Sequence, residues 1–227
     1  MEKRDEEMMT IKNIIFDMDG VLIDSEPMYY HRLRRFMKSF GITLTRDESN
    51  SMVGSCFKED IEFLKEKLNF EFSSEQILER YQSFTVEDKK HSPEFRDIVM
   101  PYAKFLLTKL RDLHLTMAIA SSSRPDIIEM FLQQCDLQYY FSVVVSGYEF
   151  EKSKPHPEIY NKTMERLCAL PEETLVIEDS YYGIAAAKAA GLTVVARKDD
   201  RFGFDQSAAD YIVDSLYESL LVIQTLL

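Results

Sequence analysis

The sequence predicts an α/β protein: a Rossmann-like parallel sheet with helices on both faces, and a small helical cap domain inserted after the first strand. From about residue 94 onward, short apolar runs alternate with segments of helical periodicity, which is typical of a parallel sheet covered by helices. Residues 45–90 instead carry helical spacing and few β-rich runs. We therefore assign residues 1–24 and 94–227 to the core and residues 25–93 to the cap.

The first elements along the chain are a strand and a helix. The apolar run 11–16 predicts a buried strand. Pro27 suits the first turn of a helix, and Gly41 suits its end after about Phe40. Within the cap, apolar residues recur at helical spacing: Ile61, Leu64, Leu68, then Ile77, Leu78, Tyr81, Phe84.

The elements that follow the cap alternate in type. The expected helices cover residues 101–113, 125–135, 158–167, 183–190 and 215–226. The expected strands cover residues 115–120, 141–145, 174–177, 193–196 and 211–213. Because a helix separates most consecutive strands, the strands are expected to be parallel.

The charge balance bears on possible partners. The 227 residues carry 27 Lys and Arg against 39 Asp and Glu, a formal net charge of −12. Such a field repels a nucleic-acid backbone, so we expect a small-molecule partner and no nucleic acid. The chain has no apolar run of membrane-spanning length and no signal-peptide core, and its three cysteines form no CxxC pair or Cys/His cluster. We expect a cytoplasmic protein, no membrane contact, and a monomer by default.

Groups able to carry chemistry follow four of the predicted strands. In chain order they are Asp17 and Asp19, Ser121 to Ser123, Lys154, and Glu178 with Asp179. Open parallel sheets bind ligands at the carboxyl ends of their strands, so these groups should meet at one edge. Clustered carboxylates repel one another unless a cation lies among them, and oxygen ligands suit Mg²⁺.

These segments resemble the four motifs of the haloacid dehalogenase-like hydrolase superfamily. The run from Asp17 to Glu26 (DMDGVLIDSE) is similar to its first motif, and Ser121 is similar to its second. Lys154 with the following proline resembles the third motif, and the run 176–180 (VIEDS), followed by Gly183, resembles the fourth. The motifs occur in the family's order, and the insertion lies where the helical-cap subclass carries its cap.

The resemblance implies magnesium-dependent phosphoryl transfer. Asp17 would attack phosphorus and form an aspartyl-phosphate, and Asp19 would protonate the leaving oxygen and later deprotonate water. Asp17, the backbone carbonyl of Asp19, and Asp179 would hold Mg²⁺, with Glu178 assisting directly or through water. A small phosphorylated metabolite would be the substrate.

Residues of the second and third motifs would bind the phosphoryl group during its transfer. Ser121 would donate a hydrogen bond to one of its oxygens, with Ser122 as a further contact, while Lys154 would offset negative charge. Ser123 is expected to cap the helix that begins at Pro125. Other interpretations stay open: the aspartates of the first motif also suit a simple turn, and Lys154 also suits an ordinary surface lysine.

The cap is expected to contribute Tyr29 and Lys58 to substrate binding. Tyr29 lies at the start of the first cap helix, in the basic and aromatic stretch 29–35, which also suits a solvated helix face. Lys58 ends a segment that begins at Gly54, and this segment also suits a plain turn between helices. His156 is a possible base, although a polar loop residue is the simpler interpretation.

The motifs separate some functions within the family. Asp19 argues against dehalogenation, because the dehalogenases lack this second aspartate. Mutases resembling β-phosphoglucomutase carry a histidine where this chain has Tyr29 and a lysine where it has Val53. A phosphatase of a sugar or polyol phosphate is therefore the predicted function, and a phosphomutase is the alternative. A non-catalytic protein on the same scaffold usually loses the nucleophile or the metal ligands, which this chain keeps.

Overall fold

The computed structural model describes residues 11–52, 57–88, 90 and 92–227, without the side chains of Lys58 and Glu59. Its centre is a sheet of six parallel strands. The strands are β1 (Asn13–Phe16), β2 (Thr116–Ser121), β3 (Val143–Ser146), β4 (Thr174–Glu178), β5 (Thr193–Arg197) and β6 (Tyr211–Val213). Their spatial order is β3-β2-β1-β4-β5-β6, so the winding direction reverses between β1 and β4. Loops at this switch point open a crevice at the carboxyl edge.

Nine α-helices lie in the described part of the chain. They are α1 (Glu26–Lys38), α2 (Arg46–Asn50), α3 (Phe57–Lys67), α4 (Ser74–Asp88), α5 (Ala103–Asp112), α6 (Pro125–Gln134), α7 (Glu158–Leu167), α8 (Tyr181–Ala189) and α9 (Leu216–Thr225). The first five lie between β1 and β2 in sequence, and the other four follow β2, β3, β4 and β6. The α/β fold class predicted from the sequence is confirmed.

Two apolar clusters cover the two faces of the sheet. Ile14 and Phe16 of β1 belong to the cluster that includes residues of α5, α6 and α9, whereas Ile15 belongs to the cluster that includes residues of α7 and α8. Successive side chains of a strand point to opposite faces, so the continuous apolar run in β1 fills both cores. Burial on both faces fixes the position of the strand, and thereby that of the residues just after it.

The cap helices surround a third apolar cluster of their own. Its buried members lie between Leu33 and Ile77, and the ring of Phe36 contacts those of Phe40, Tyr81 and Phe84 edge to face. Burial of such rings is the main force that can hold this small unit together. The domain boundaries proposed after residues 24 and 93 stay a prediction.

Several element ends differ from the sequence prediction by one or two residues, and three of them lie close to the candidate site or have a local reason. The strand expected to end at Ile177 continues to Glu178. The helix expected from Gly183 begins at Tyr181, because Ser180 caps it by accepting a hydrogen bond from the Gly183 amide. The helix expected from Pro101 begins at Ala103, because Tyr102 takes a left-handed conformation (φ 66°).

A membrane-spanning helix would need more length and apolar character than any helix in the described residues has.

A buried ionic network ties the first cap helix to the last. Asp88 at the end of α4 accepts hydrogen bonds from Arg32 Nε at 2.9 Å and from Arg35 Nη2 at 2.6 Å. Arg32 also donates from Nη2 to Ser92 Oγ at 3.1 Å, in the segment that leads back to the core. The Arg32 and Asp88 side chains are only 6% and 5% exposed, so each charge depends on the other.

We expect Asp88→Ala to lower the free energy of unfolding by about 3–5 kcal/mol, because Arg32 would stay buried without a counter-charge. Urea unfolding followed by circular dichroism measures the change. The matched control is Glu87→Ala on the same helix. The ion pair of Glu87 with Lys90 is 70% and 65% exposed, so its loss should cost less than about 1 kcal/mol. Equal costs for the two variants would contradict the assigned role of Asp88.

Candidate active site

A tight turn after β1 places the two aspartates of the first motif. The amide of Asp17 still donates to the Ile177 carbonyl of β4 at 3.0 Å, and the chain then turns through Gly20 (φ +80°). A β-carbon at Gly20 would overlap the carboxylate of Asp179. Glycine is therefore required here both for its backbone conformation and for the close approach of the fourth motif.

Three carboxylates meet at the carboxyl edge of β1 and β4. One oxygen each of Asp17, Glu178 and Asp179 lies within 4.8 Å of the others, and all three residues are buried. Their convergence follows from the parallel pairing of β1 with β4, which aligns Phe16 with Ile177. This is the edge at which the sequence analysis placed the metal ligands.

Asp19 is held apart from this cluster by two hydroxyl groups. Ser25 Oγ donates to its Oδ1 at 2.5 Å, and Ser123 Oγ donates to its Oδ2 at 2.6 Å. Burial raises the pKa of Asp19 above its usual value, although these two hydrogen bonds oppose the change. Asp17 and Asp19 thus occupy different environments, as two carboxyl groups with different roles require.

Lys154 supplies the positive charge of the cluster. Its Nζ donates to Asp17 Oδ1 at 2.6 Å, to Glu178 Oε1 at 2.7 Å and to the Ala120 carbonyl at 3.1 Å. These contacts use all three donors of a side chain that is 4% exposed. Burial opposes its charge, but Asp17 and Glu178 outweigh burial and hold the pKa of Lys154 well above the usual range.

Glu178 is surrounded by hydrogen-bond donors. Its Oε1 accepts from Lys154 and from Tyr160 Oη at 2.9 Å. Its Oε2 accepts from the amide of Asp179 and from the amide and hydroxyl of Ser180, at 2.9 to 3.1 Å. A β-carbon at Gly183 would overlap this carboxylate. Glu178 thus orients Lys154 and the start of α8, and its metal contact stays a prediction.

Asp179 is the carboxylate of this cluster that Lys154 does not contact: the lysine donates to Asp17 and Glu178. Asp179 Oδ2 is buried and has no hydrogen-bond partner among the described residues. Burial, together with the neighbouring charges of Glu178 and Asp17, raises its pKa well above the usual value. Burial, together with the charges of Glu178 and Asp19, raises the pKa of Asp17 to about 8, against the attraction of Lys154. One lysine therefore does not balance three carboxylates.

The three serines after β2 have separate positions. Ser121 is fully buried, and its Oγ accepts from the Ser123 amide at 3.0 Å. Ser122 lines the cavity above the carboxylates. The prediction that Ser123 caps α6 is wrong: the N-cap is Arg124, without a side-chain hydrogen bond. Pro125 occupies the first helical position, so Ser123 lies one residue too early and donates to Asp19 instead.

Two residues that the sequence analysis did not select support the site from behind. Arg197 Nε donates to the Gly20 carbonyl, and Gln206 Nε2 donates to the carbonyls of Asp179 and Arg197. Both side chains are buried, so the end of β5 and the loop after it fix the backbones that carry Asp19 and Asp179. Arg197 directly follows the predicted strand 193–196, as the selected residues follow theirs, and this position was the available signal. Gln206 gives no signal in the sequence.

A cavity of about 590 Å³ lies above the carboxylates. Both core and cap residues line it, including Asp17, Asp19, Lys154 and Asp179 from the core and Glu26 and Tyr29 from α1. Tyr29 therefore lines the candidate site, and its contact with the substrate stays a prediction. The side chain of Lys58 and residues 53–56 lie outside the described residues.

Comparison with known proteins agrees with this geometry. The family model for haloacid dehalogenase-like hydrolases matches residues 14–197. A phosphorylated carbohydrates phosphatase of Thermotoga maritima is 35% identical over 181 residues, which are 79% of this chain and 81% of that protein. Hexitol phosphatase B of Escherichia coli is 28% identical over 200 residues, 83% of this chain and 86% of that protein.

Solved structures share the architecture. A putative beta-phosphoglucomutase from Thermotoga maritima superposes with a TM-score of 0.72 at 31% identity, covering 96% of this chain and all of that one. A beta-phosphoglucomutase from Clostridium difficile, at 23% identity, has the same fold with a TM-score of 0.79, over 95% of this chain and 97% of that one. With its four motifs at one sheet edge and a family match over most of its length, this chain belongs to the haloacid dehalogenase-like hydrolases.

Proposed function

We propose that this enzyme is a magnesium-dependent phosphatase of a small sugar or polyol phosphate, with Asp17 as the nucleophile. One observation carries the proposal: Asp17 is held by Lys154 beside Asp179, whose Oδ2 accepts no hydrogen bond from the described residues, while Asp19 is held separately by two hydroxyls. A nucleophile, a proton donor and a place for positive charge thus open into one cavity. The names of two relatives, a phosphorylated carbohydrates phosphatase and a hexitol phosphatase, support the substrate class.

The donor set fits Mg²⁺. Asp17, Glu178 and Asp179 offer carboxylate oxygens within 4.8 Å of one another, and the buried Asp179 Oδ2 has no partner in the described part of the chain. Hard divalent cations prefer such oxygen ligands. We infer that Asp17, Asp179 and the backbone carbonyl of Asp19 hold the ion, with Glu178 contributing directly or through water. When bound, Mg²⁺ would neutralise negative charge on the phosphoryl group and the nucleophile.

Asp17, Lys154 and Asp19 would each have a separate role in the reaction. An oxygen of Asp17 forms a bond to phosphorus as the bond from phosphorus to the leaving oxygen breaks, and Lys154 fixes the carboxylate for this attack. Asp19 gives its proton to the leaving oxygen, which departs as an alcohol. The Asp19 carboxylate then takes a proton from the water that attacks the aspartyl-phosphate, and Asp17 and inorganic phosphate are released. Ser121 and Ser122 would contact phosphoryl oxygens.

Residues 25–93 are proposed to act as the cap that encloses the organic part of the substrate. Tyr29 lines the cavity from the cap side, and exclusion of water there would prevent loss of the general acid's proton. Lys58 stays a proposed second contact. The net charge of −12 favours a small substrate bound through the metal ion and Lys154 over nucleic acid.

A phosphomutase is the second candidate, because a solved structure at 31% identity has the name putative beta-phosphoglucomutase. Both reactions pass through the same aspartyl-phosphate and differ in what accepts the phosphoryl group. Tyr29, where such mutases carry a histidine, supports the phosphatase.

A panel of sugar, polyol and aryl phosphates tests the function. With Mg²⁺ present we expect phosphate release, and with EDTA we expect it to stop and to return when excess Mg²⁺ is added. Conversion of β-glucose 1-phosphate to glucose 6-phosphate faster than phosphate release would favour the mutase. Absence of turnover on the whole panel, with no aspartyl-phosphate trapped by a fluoride analogue, would refute the proposal.

A further inference from the structure

Glu26 is a buried residue whose carboxyl group lies in the cavity. It is the first residue of α1, is 6% exposed and lines the same cavity as Asp17, Asp19 and Asp179. Among the described residues, no side chain or amide donates a hydrogen bond to its carboxyl group, and no cation pairs with it. Burial, followed by the charges of Asp19 and Asp17, raises its pKa to about 8.

Two other carboxylates of the protein have donors, whereas Glu26 has none among the described residues. Asp19, seven residues earlier, accepts two hydroxyl hydrogen bonds, and Asp88 is held by two arginines. The start of α1 favours an acidic residue through the helix dipole, but it supplies no donor to the carboxyl group. A ligand that enters the cavity can satisfy the group.

The chemistry of Glu26 restricts that ligand. Its oxygens accept hydrogen bonds, and its acid form also donates one. A phosphoryl group repels the carboxylate, so Glu26 suits the organic part of the substrate. Hydroxyl groups both donate and accept, and they match either form of the carboxyl group. Tyr29, one turn later on α1, adds a second polar group on the same side of the helix.

We propose that Glu26 is a specificity-determining residue that binds hydroxyl groups of a polyhydroxylated substrate in this cavity. The inference rests on the proposed phosphatase function and goes further, because it assigns the recognition of the sugar or polyol part to one side chain. A phosphate monoester of the same length without hydroxyls gains nothing from Glu26.

Two substrates that differ only in hydroxyl groups test the inference: a hexitol 6-phosphate and n-hexyl phosphate. In both substrates the leaving group departs as an alcohol and needs the proton of Asp19. For Glu26→Leu we expect kcat/KM on the hexitol phosphate to fall roughly 10- to 100-fold. A fall of this size corresponds to the loss of one or two hydrogen bonds to a charged acceptor. On n-hexyl phosphate we expect less than about a threefold change. Glu26→Gln, which keeps an acceptor, should lie between the wild type and the leucine variant.

The control is Glu75→Gln, which makes the same chemical change in the first turn of α4, on an exposed residue. This substitution should leave kcat/KM on both substrates unchanged. Equal losses on the two substrates, or no loss on the hexitol phosphate, would overturn the role of Glu26. If the wild-type enzyme with Mg²⁺ hydrolysed neither substrate, nor any other phosphate monoester, the phosphatase function itself would fail, and this inference with it.

Discussion

The Asp17→Asn enzyme is expected to release phosphate at least about 10⁴-fold more slowly than the wild type, a loss of about 5 kcal/mol in transition-state stabilisation. The amide keeps the size of the side chain but is a far weaker nucleophile than a carboxylate, and it lacks the charge that pairs with Lys154 at 2.6 Å. Phosphate release on the best substrate of the panel measures the effect.

Stability separates this loss from misfolding. In Asp17→Asn, Lys154 keeps its hydrogen bonds to Glu178 and to a backbone carbonyl, and one of three crowded carboxylates is removed, so the melting temperature should not fall. Asp24→Asn is the matched control, with the same chemical change in the same motif. Asp24 pairs with Arg201 at a partly exposed position and lies outside the carboxylate cluster, so activity should stay near the wild-type value. Asp17→Asn turnover within tenfold of wild type would exclude Asp17 as the nucleophile.

Removing Lys154 should impair both catalysis and folding. In Lys154→Met, the carboxylates of Asp17 and Glu178 lose their shared cation, and three buried carboxyl groups face one another. We expect kcat to fall about 10³-fold, as for loss of one preorganised electrostatic contact. Without Mg²⁺ we also expect the free energy of unfolding to fall by about 3 kcal/mol, because the buried charges lose their partner.

Lys152→Met provides the comparison, since Lys152 lies two residues away and is exposed. Its loss should change neither kcat nor the urea midpoint measurably. Added Mg²⁺ should recover part of the stability of Lys154→Met, because a cation among the same oxygens replaces part of the missing charge. A Lys154→Met enzyme with wild-type kcat would contradict the assigned function of this lysine.

Local patterns in the sequence determined the order of strands and helices. The apolar run before Asp17 marks β1, and Pro27, Pro125 and Gly191 mark helix ends within a few residues. Such signals depend on neighbours in the chain: side-chain periodicity, proline geometry and glycine conformations. The rule that ligands bind at the ends of parallel strands then placed the aspartates, Lys154 and the fourth motif at one edge.

The tertiary structure decided which groups are paired and which are left without a partner. The bond from Ser123 to Asp19 spans 104 residues, the bond from Lys154 to Asp17 spans 137, and the bond from Arg197 to Gly20 spans 177. No local pattern reports such contacts, because they exist only once the sheet has aligned its strands. For the same reason the sequence suggested a helix cap at Ser123 and gave no sign that Glu26 would be buried with no hydrogen-bond donor from the residues that the structure describes. The motifs thus predicted the candidate reaction centre, whereas the packing of α1 near the carboxyl edge of the sheet decided that Glu26 and Tyr29 line the same cavity.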